Sequence, residues 1–146
     1  MKRKIIIFML MVAFALLNII TAYGAEWGNM SSVIKPLYEE AESYSAKFDI
    51  DSNGVAEING SLVPLESSAT DKVCAVVKIT NVTTGKVVYN KTITMTYFKE
   101  LKRYKLNENY QLTTKGKHCL NLTYKCYDGS RLLESIQVPS KLKAYD

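Results

Sequence analysis

The chain predicts an all-β fold, an antiparallel sandwich of about seven strands behind an N-terminal signal peptide. Two observations predict the sandwich. Apolar residues recur with period two from Tyr44 almost to the C-terminus, the mark of half-buried strands. Turn residues break that alternation at short intervals, at Asn53-Gly54, Gly85, Gly116 and Asp128-Gly129, and no long helical period competes with it. A third observation predicts the leader. Lys2, Arg3 and Lys4 precede an apolar run from Ile5 to Ile20, and small residues follow at Ala22 and Gly24.

Residues 1–24 therefore read as a signal peptide cleaved after Gly24. The alternative is an uncleaved anchor, but the apolar run is short against the ~20 residues of a spanning helix. KLKAYD at the C-terminus has no apolar tail, so no stable membrane anchor is expected after cleavage. Lys2, Arg3 and Lys4 leave with the leader, and the formal charge falls from +5 to +2. A nucleic-acid partner loses its electrostatic basis. The remaining charge is uneven. Residues 25–71 carry two Lys against nine acids, and residues 72–146 carry 14 basic residues against five acids. The simplest reading is two halves facing each other in one fold. The expected location is secreted, or extracellular.

Residues 25–43 form a lead-in in which Pro36, Glu39 and Glu40 resemble the first turn of a short helix. Trp27 is expected to pack over one end of a core. The sandwich domain spans 44–146. Tyr44, Ala46, Phe48 and Ile50 alternate into Asn53-Gly54, the strongest short hairpin signal. The partner strand is VAEINGSLVP, with Ala56, Ile58 and Leu62 on one side. KVCAVVKIT then buries Val73, Ala75, Val77 and Ile79. VVYNKTITMTYF reads as one strand, with Val87, Tyr89, Ile93 and Met95 inward and Asn90, Thr92, Thr94 and Thr96 outward. Tyr104, Leu106, Tyr110 and Leu112 mark the next. HCLNLTYKCY places His118, Leu120, Leu122, Tyr124 and Cys126 on one face, and RLLESIQV closes with Leu132, Ile136 and Val138. Seven such strands fit an immunoglobulin-like or fibronectin-III-like Greek key.

The stretch GKHCLNLTYKCYDG holds the single His and two of three Cys. On a strand, His118 and Cys119 point to opposite faces. His118 and Cys126 share a face but lie about 27 Å apart at ~3.4 Å per residue. That separation rules out a shared ion, whose ligand bonds are ~2.0–2.3 Å. No metal, cofactor or catalytic residue is assigned. Gly116-Lys117-His118-Cys119-Leu120 instead places His118 where an immunoglobulin sandwich carries its corner tyrosine, a hydrogen-bonding role. Residues 72–80 and 117–127 would be neighbours in one sheet, bringing Cys74 near Cys126. A Cys74–Cys126 disulfide is expected, although the alternation turns Cys74 outward and Cys126 inward. Three reduced cysteines are the alternative. Cys119 faces out as a free thiol.

KELKRYK is the densest basic run. Lys99, Lys102, Arg103 and Lys105 could meet an acidic polymer. They equally suit a solvated loop or an edge-strand guard. Five Asn-x-Ser/Thr sequons occur, at Asn29, Asn59, Asn81, Asn90 and Asn121; in a eukaryotic secreted protein they would be glycan acceptors, but in so Lys-, Asn- and Ile-rich a chain they are expected by chance. With the strands placed, the chain resembles a loose group of short secreted proteins of Gram-positive bacteria. These have a signal peptide, an early Trp-x-Asn and an immunoglobulin-like sandwich. The matching pieces are Trp27-Gly28-Asn29, DSNGVAEINGSLVP, KVCAVVKIT, GKVVYNKTITMTYF and YKCYDGSRLLESI. The resemblance implies the Cys74–Cys126 pairing and supplies no site residues. The functional expectation is a non-enzymatic protein acting by surface contact, its partner an unidentified protein or a cell-wall polymer. A carbohydrate- or wall-polymer-binding module is the alternative, and a small secreted hydrolase is the second.

Overall fold

The computed structural model describes residues 38–146. The proposed leader and cleavage site, Trp27, Asn29 and Pro36 lie outside the described residues. What is described is all-β: two antiparallel four-stranded sheets and no α-helix. The strands are β1 (Ala41–Ile50), β2 (Val55–Pro64), β3 (Lys72–Asn81), β4 (Lys86–Thr94), β5 (Thr96–Phe98), β6 (Arg103–Gln111), β7 (Gly116–Asp128) and β8 (Arg131–Tyr145). One sheet has the order β1-β2-β6-β5 and the other β4-β3-β7-β8. The chain thus changes sheet three times, after β2, β4 and β6.

Residues 41–43, read as part of the lead-in, belong to β1. A register shift lies between Ala41 and Ser43, where Ala41 pairs with Pro64 and Ser43 with Val63. The β1–β2 hairpin forms where Asn53-Gly54 places it. Asp51 Oδ1 accepts from Asn53 N and Val55 N at 2.9 and 2.8 Å. Gly54 takes φ +81°, which side chains disfavour, and a Cβ there would sit 2.6 Å from the Tyr145 ring.

The expected single strand over residues 87–98 is two strands. β4 pairs with β3, Met95 N donates to Val73 O at 2.8 Å, and β5 then joins β6 in the opposite sheet. Buried Met95 is the crossing point. β4 also bulges: Ile79 pairs with Tyr89, but Thr80 pairs with Val87. The extra residue, Val88, reverses the parity, so Val87 is 50% exposed and not inward as alternation predicts. A second bulge lets β8 run past Pro139, which has no N–H to leave unpaired, to Tyr145.

The core lies between the sheets. Phe48, Ala56, Ile58, Leu62, Tyr104 and Leu106 face Val73, Ala75, Val77, Ile79, Leu120, Leu122 and Tyr124. Full burial of such side chains stabilises by roughly 1.5–3 kcal/mol each. Tyr124 spans the core and donates its hydroxyl to Ser45 O at 2.7 Å. Gly60 makes room for it, because a Cβ there would meet the hydroxyl at 2.0 Å.

Candidate functional site

The chemistry-bearing side chains gather in three places. The first is the β3–β7 ladder. It pairs Val73 with Cys126 and Cys74 with Lys125, so Cys74 and Cys126 project from opposite faces of one sheet. The expected Cys74–Cys126 disulfide is therefore corrected: all three cysteines are unbonded. The β3–β7 register runs through this level without a shift, the irregularity at Cys126/Tyr127 lying in the β7–β8 ladder, so nothing brings the thiols together. Cys74 lies on the outer face beside Thr94 Oγ1, at 3.8 Å. Cys126 is in the core, where burial raises its thiol to about 11, so it is no nucleophile near neutral pH. Cys119 is half-exposed on the outer face, between Thr80 and Leu142.

His118 is fully buried at the opposite end of β7. Its Nε2 lies 3.3 Å from Asn81 Nδ2, and its Nδ1 lies 3.0 Å from Gly116 O. The neighbours fix the roles. The two Asn81 Nδ2 hydrogens are shared among Lys115 O, Thr114 Oγ1 and His118 Nε2, and Asn81 Oδ1 accepts from Thr84 N. The amide cannot turn round without losing these bonds, so His118 Nε2 accepts and Nδ1–H donates to the Gly116 carbonyl. The ring joins the end of β3 to the start of β7, and Asn81 carries the tie on to residues 84, 114 and 115 of the two adjoining loops.

The second place is a clasp between the sheets. Tyr89 and Lys91 from β4 both donate to Glu108 Oε1 of β6, Lys91 at 2.9 Å, and the Tyr89 ring stacks at 4.5 Å on Tyr110. The Tyr89 hydroxyl and then Lys91 hold the Glu108 carboxyl below its ordinary range. Burial and the Glu108 carboxylate push Tyr89 above its own. A carboxylate so held is a weak base and the phenol a weak acid. The three groups satisfy one another.

The third is a groove of about 760 Å3 across the outer face of the β1-β2-β6-β5 sheet. Antiparallel register builds its floor. Ser45 lies opposite Ser61, Ser61 opposite Lys105, and Lys105 opposite Thr96; one level along, Lys47 lies opposite Asn59 and Asn59 opposite Asn107. Phe98 and Arg103 line one end, and Ile93 and Thr94 the margin where β4 crosses over. The Ser45 and Ser61 hydroxyls are 2.9 Å apart, and Lys105 Nζ sits 4.9 Å over the Phe98 ring. The groove presents cations, amides and hydroxyls on strands whose other face is the core.

The expected basic patch divides. Arg103 and Lys105 enter the groove. Lys102 ends the 3-10 turn Lys99–Leu101 with φ +47° and pairs with Glu66 at 3.8 Å, both side chains exposed. Lys99 stays on that turn, outside the groove lining. Ser45, Lys47, Asn59, Ser61 and Asn107 were not singled out from sequence; their only signal is that they occupy the polar positions of alternating strands. Among the described residues no group of His, Cys, Asp and Glu is placed to hold a metal ion. No protein-family model matches the chain, and comparison with curated proteins and with solved structures returns no match.

Proposed function

We propose that this is a secreted, non-enzymatic β-sandwich of the immunoglobulin-like Greek-key kind, acting by surface contact at the cell envelope or outside the cell. The groove over β1, β2, β6 and β5 carries the reading. It combines Lys47, Arg103 and Lys105 with Phe98 and a bed of Ser and Asn side chains, a surface made for polar contact rather than bond-making. The strand orders correspond to A-B-E-D and C′-C-F-G of immunoglobulin sandwiches, which supports the fold assignment. Lys2-Arg3-Lys4, the apolar run and Ala22-x-Gly24 support export. The polymer-binding alternative draws on the same groove, since hydroxyls, amides and one aromatic ring also suit a hydroxylated chain.

Expression in a Gram-positive host, with N-terminal sequencing of the product and fractionation of the culture, tests this reading. The expected result is a chain beginning at Ala25, found in the medium and sedimenting with added envelopes. Precursor retained inside the cell, or a mature chain that ignores envelopes and every other extracellular fraction, contradicts it.

A further inference from the structure

The sheet that carries the groove is incomplete at one edge. β5 is three residues long and pairs only with residues 103–105 of β6. Along the rest of β6, backbone groups alternate in direction, as in any antiparallel ladder. Leu112 N donates to Gly54 O at 2.9 Å, so the even-numbered residues of β6 bond β2 and the odd-numbered ones face the other way. Arg103 and Lys105 meet Phe98 and Thr96 there. Asn107, Asn109 and Gln111 meet no strand, and among the described residues nothing pairs with their N–H and C=O groups. Donor-and-acceptor pairs thus recur about every 6.8 Å along an open slot.

The surroundings of the slot limit what fits. Below it, Tyr89 and Lys91 reach Glu108, whose charge Lys91 already matches at 2.9 Å. At one end the groove opens beside Leu106, Asn107 and Thr96. Arg103 and Lys105 stand at that same end. A strand lying antiparallel to β6 would follow the line of β5 and bring its C-terminal end against these cations.

We infer that the slot beside Asn107, Asn109 and Gln111 takes an extended polypeptide segment of a partner protein, acidic at its C-terminal end, by strand addition. The inference rests on the surface-contact reading above and assigns the partner's chemistry. A polyol or sugar polymer could meet the cations, but it has no alternating in-line N–H and C=O to match the edge. A second copy would bring the same cations to the same slot.

The test is an NMR titration of the chain with a short synthetic peptide of alternating Thr and Val that ends in two Glu. Amide exchange at Asn107, Asn109 and Gln111 should slow on binding, while Leu106 and Glu108, already in the β2 ladder, should change little. A peptide ending in two Lys should bind about tenfold more weakly. Asn109→Pro removes one slot-facing donor and none of the β2 bonds, and should weaken binding at least about tenfold. Peptide N-methylated at alternate residues makes the same test with the protein unaltered. Unchanged exchange at the three amides, or equal binding by the methylated peptide, overturns the inference. So does protection that rises with protein concentration alone, which would give the slot to a second copy. Envelope binding through the groove without peptide binding would overturn this inference and leave the surface-contact reading standing; loss of both would remove both.

Discussion

Asn81 has more side-chain hydrogen-bond contacts than any other asparagine among the described residues. At 1% exposure its Nδ2 lies within hydrogen-bond distance of His118, Thr114 and Lys115, and its Oδ1 accepts from Thr84 N. Removing it leaves His118 Nε2 and Thr84 N without partners. Asn81→Ala should therefore cost about 1–3 kcal/mol in denaturant unfolding, whereas Asn121→Ala, on the exposed face of β7, should stay within about 0.5 kcal/mol. The same burial closes the Asn81 sequon to glycan transfer in the folded chain. Gly60→Ala forces a methyl into the Tyr124 hydroxyl and should cost about 1–3 kcal/mol by the same measurement. The cysteines make a third residue-scale prediction. Brief alkylation of the native chain should label Cys119 alone, and alkylation in denaturant should label Cys74 and Cys126 as well. A mass shift that stays short by the latter pair even after denaturation would mean a bridge between them.

At the scale of elements, the Tyr89–Glu108–Lys91 clasp joins β4 of one sheet to β6 of the other. Glu108 titrates below its ordinary range in the folded chain, so its stabilising contribution is complete above the unfolded-state value of about 4.3. That contribution falls away as pH drops through the lower folded value. Asp49, held down by Lys143 across β1 and β8, acts in the same sense. Unfolding free energy should decline in that acid range, and Glu108→Gln should flatten part of the decline. An equally steep decline in the variant would remove the clasp from the account. Elements of this kind were legible in the sequence where they depend on neighbours in the chain. β3 buries Val73, Ala75, Val77 and Ile79 as its alternation requires, and Asn53-Gly54 fixes a hairpin. The division of β4 from β5 was not legible. No turn residue separates Thr94 from Thr96, so a change of sheet at Met95 leaves the alternation intact. The bulge at Val88 was equally silent, because an extra residue alters parity without altering composition.

At the scale of the whole molecule, the groove was hidden for a different reason. Its floor comes from β1, β2, β5 and β6, with Ile93 and Thr94 of β4 at the margin, and only the cross-strand register sets Lys47 beside Asn59 and Lys105 beside Ser61. Each strand by itself shows nothing but an ordinary polar position. The basic run was visible as composition, yet composition could not divide Arg103 and Lys105, which enter the groove, from Lys99 and Lys102, which do not. The parity conflict between Cys74 and Cys126 was visible too, and the continuous register of β3 with β7 resolved it against the bridge. The β4-β3-β7-β8 sheet carries outward cations of its own, Lys78 and Lys125, away from the groove residues.

Co-sedimentation with isolated envelopes, comparing charge reversals on the two faces, tests the central claim most directly. Arg103→Glu with Lys105→Glu should reduce retention about tenfold, and Lys78→Glu with Lys125→Glu, the same change in net charge on the other sheet, should leave it near wild type. Equal losses from both pairs, or none from the first, would contradict a contact surface on the β1-β2-β6-β5 sheet.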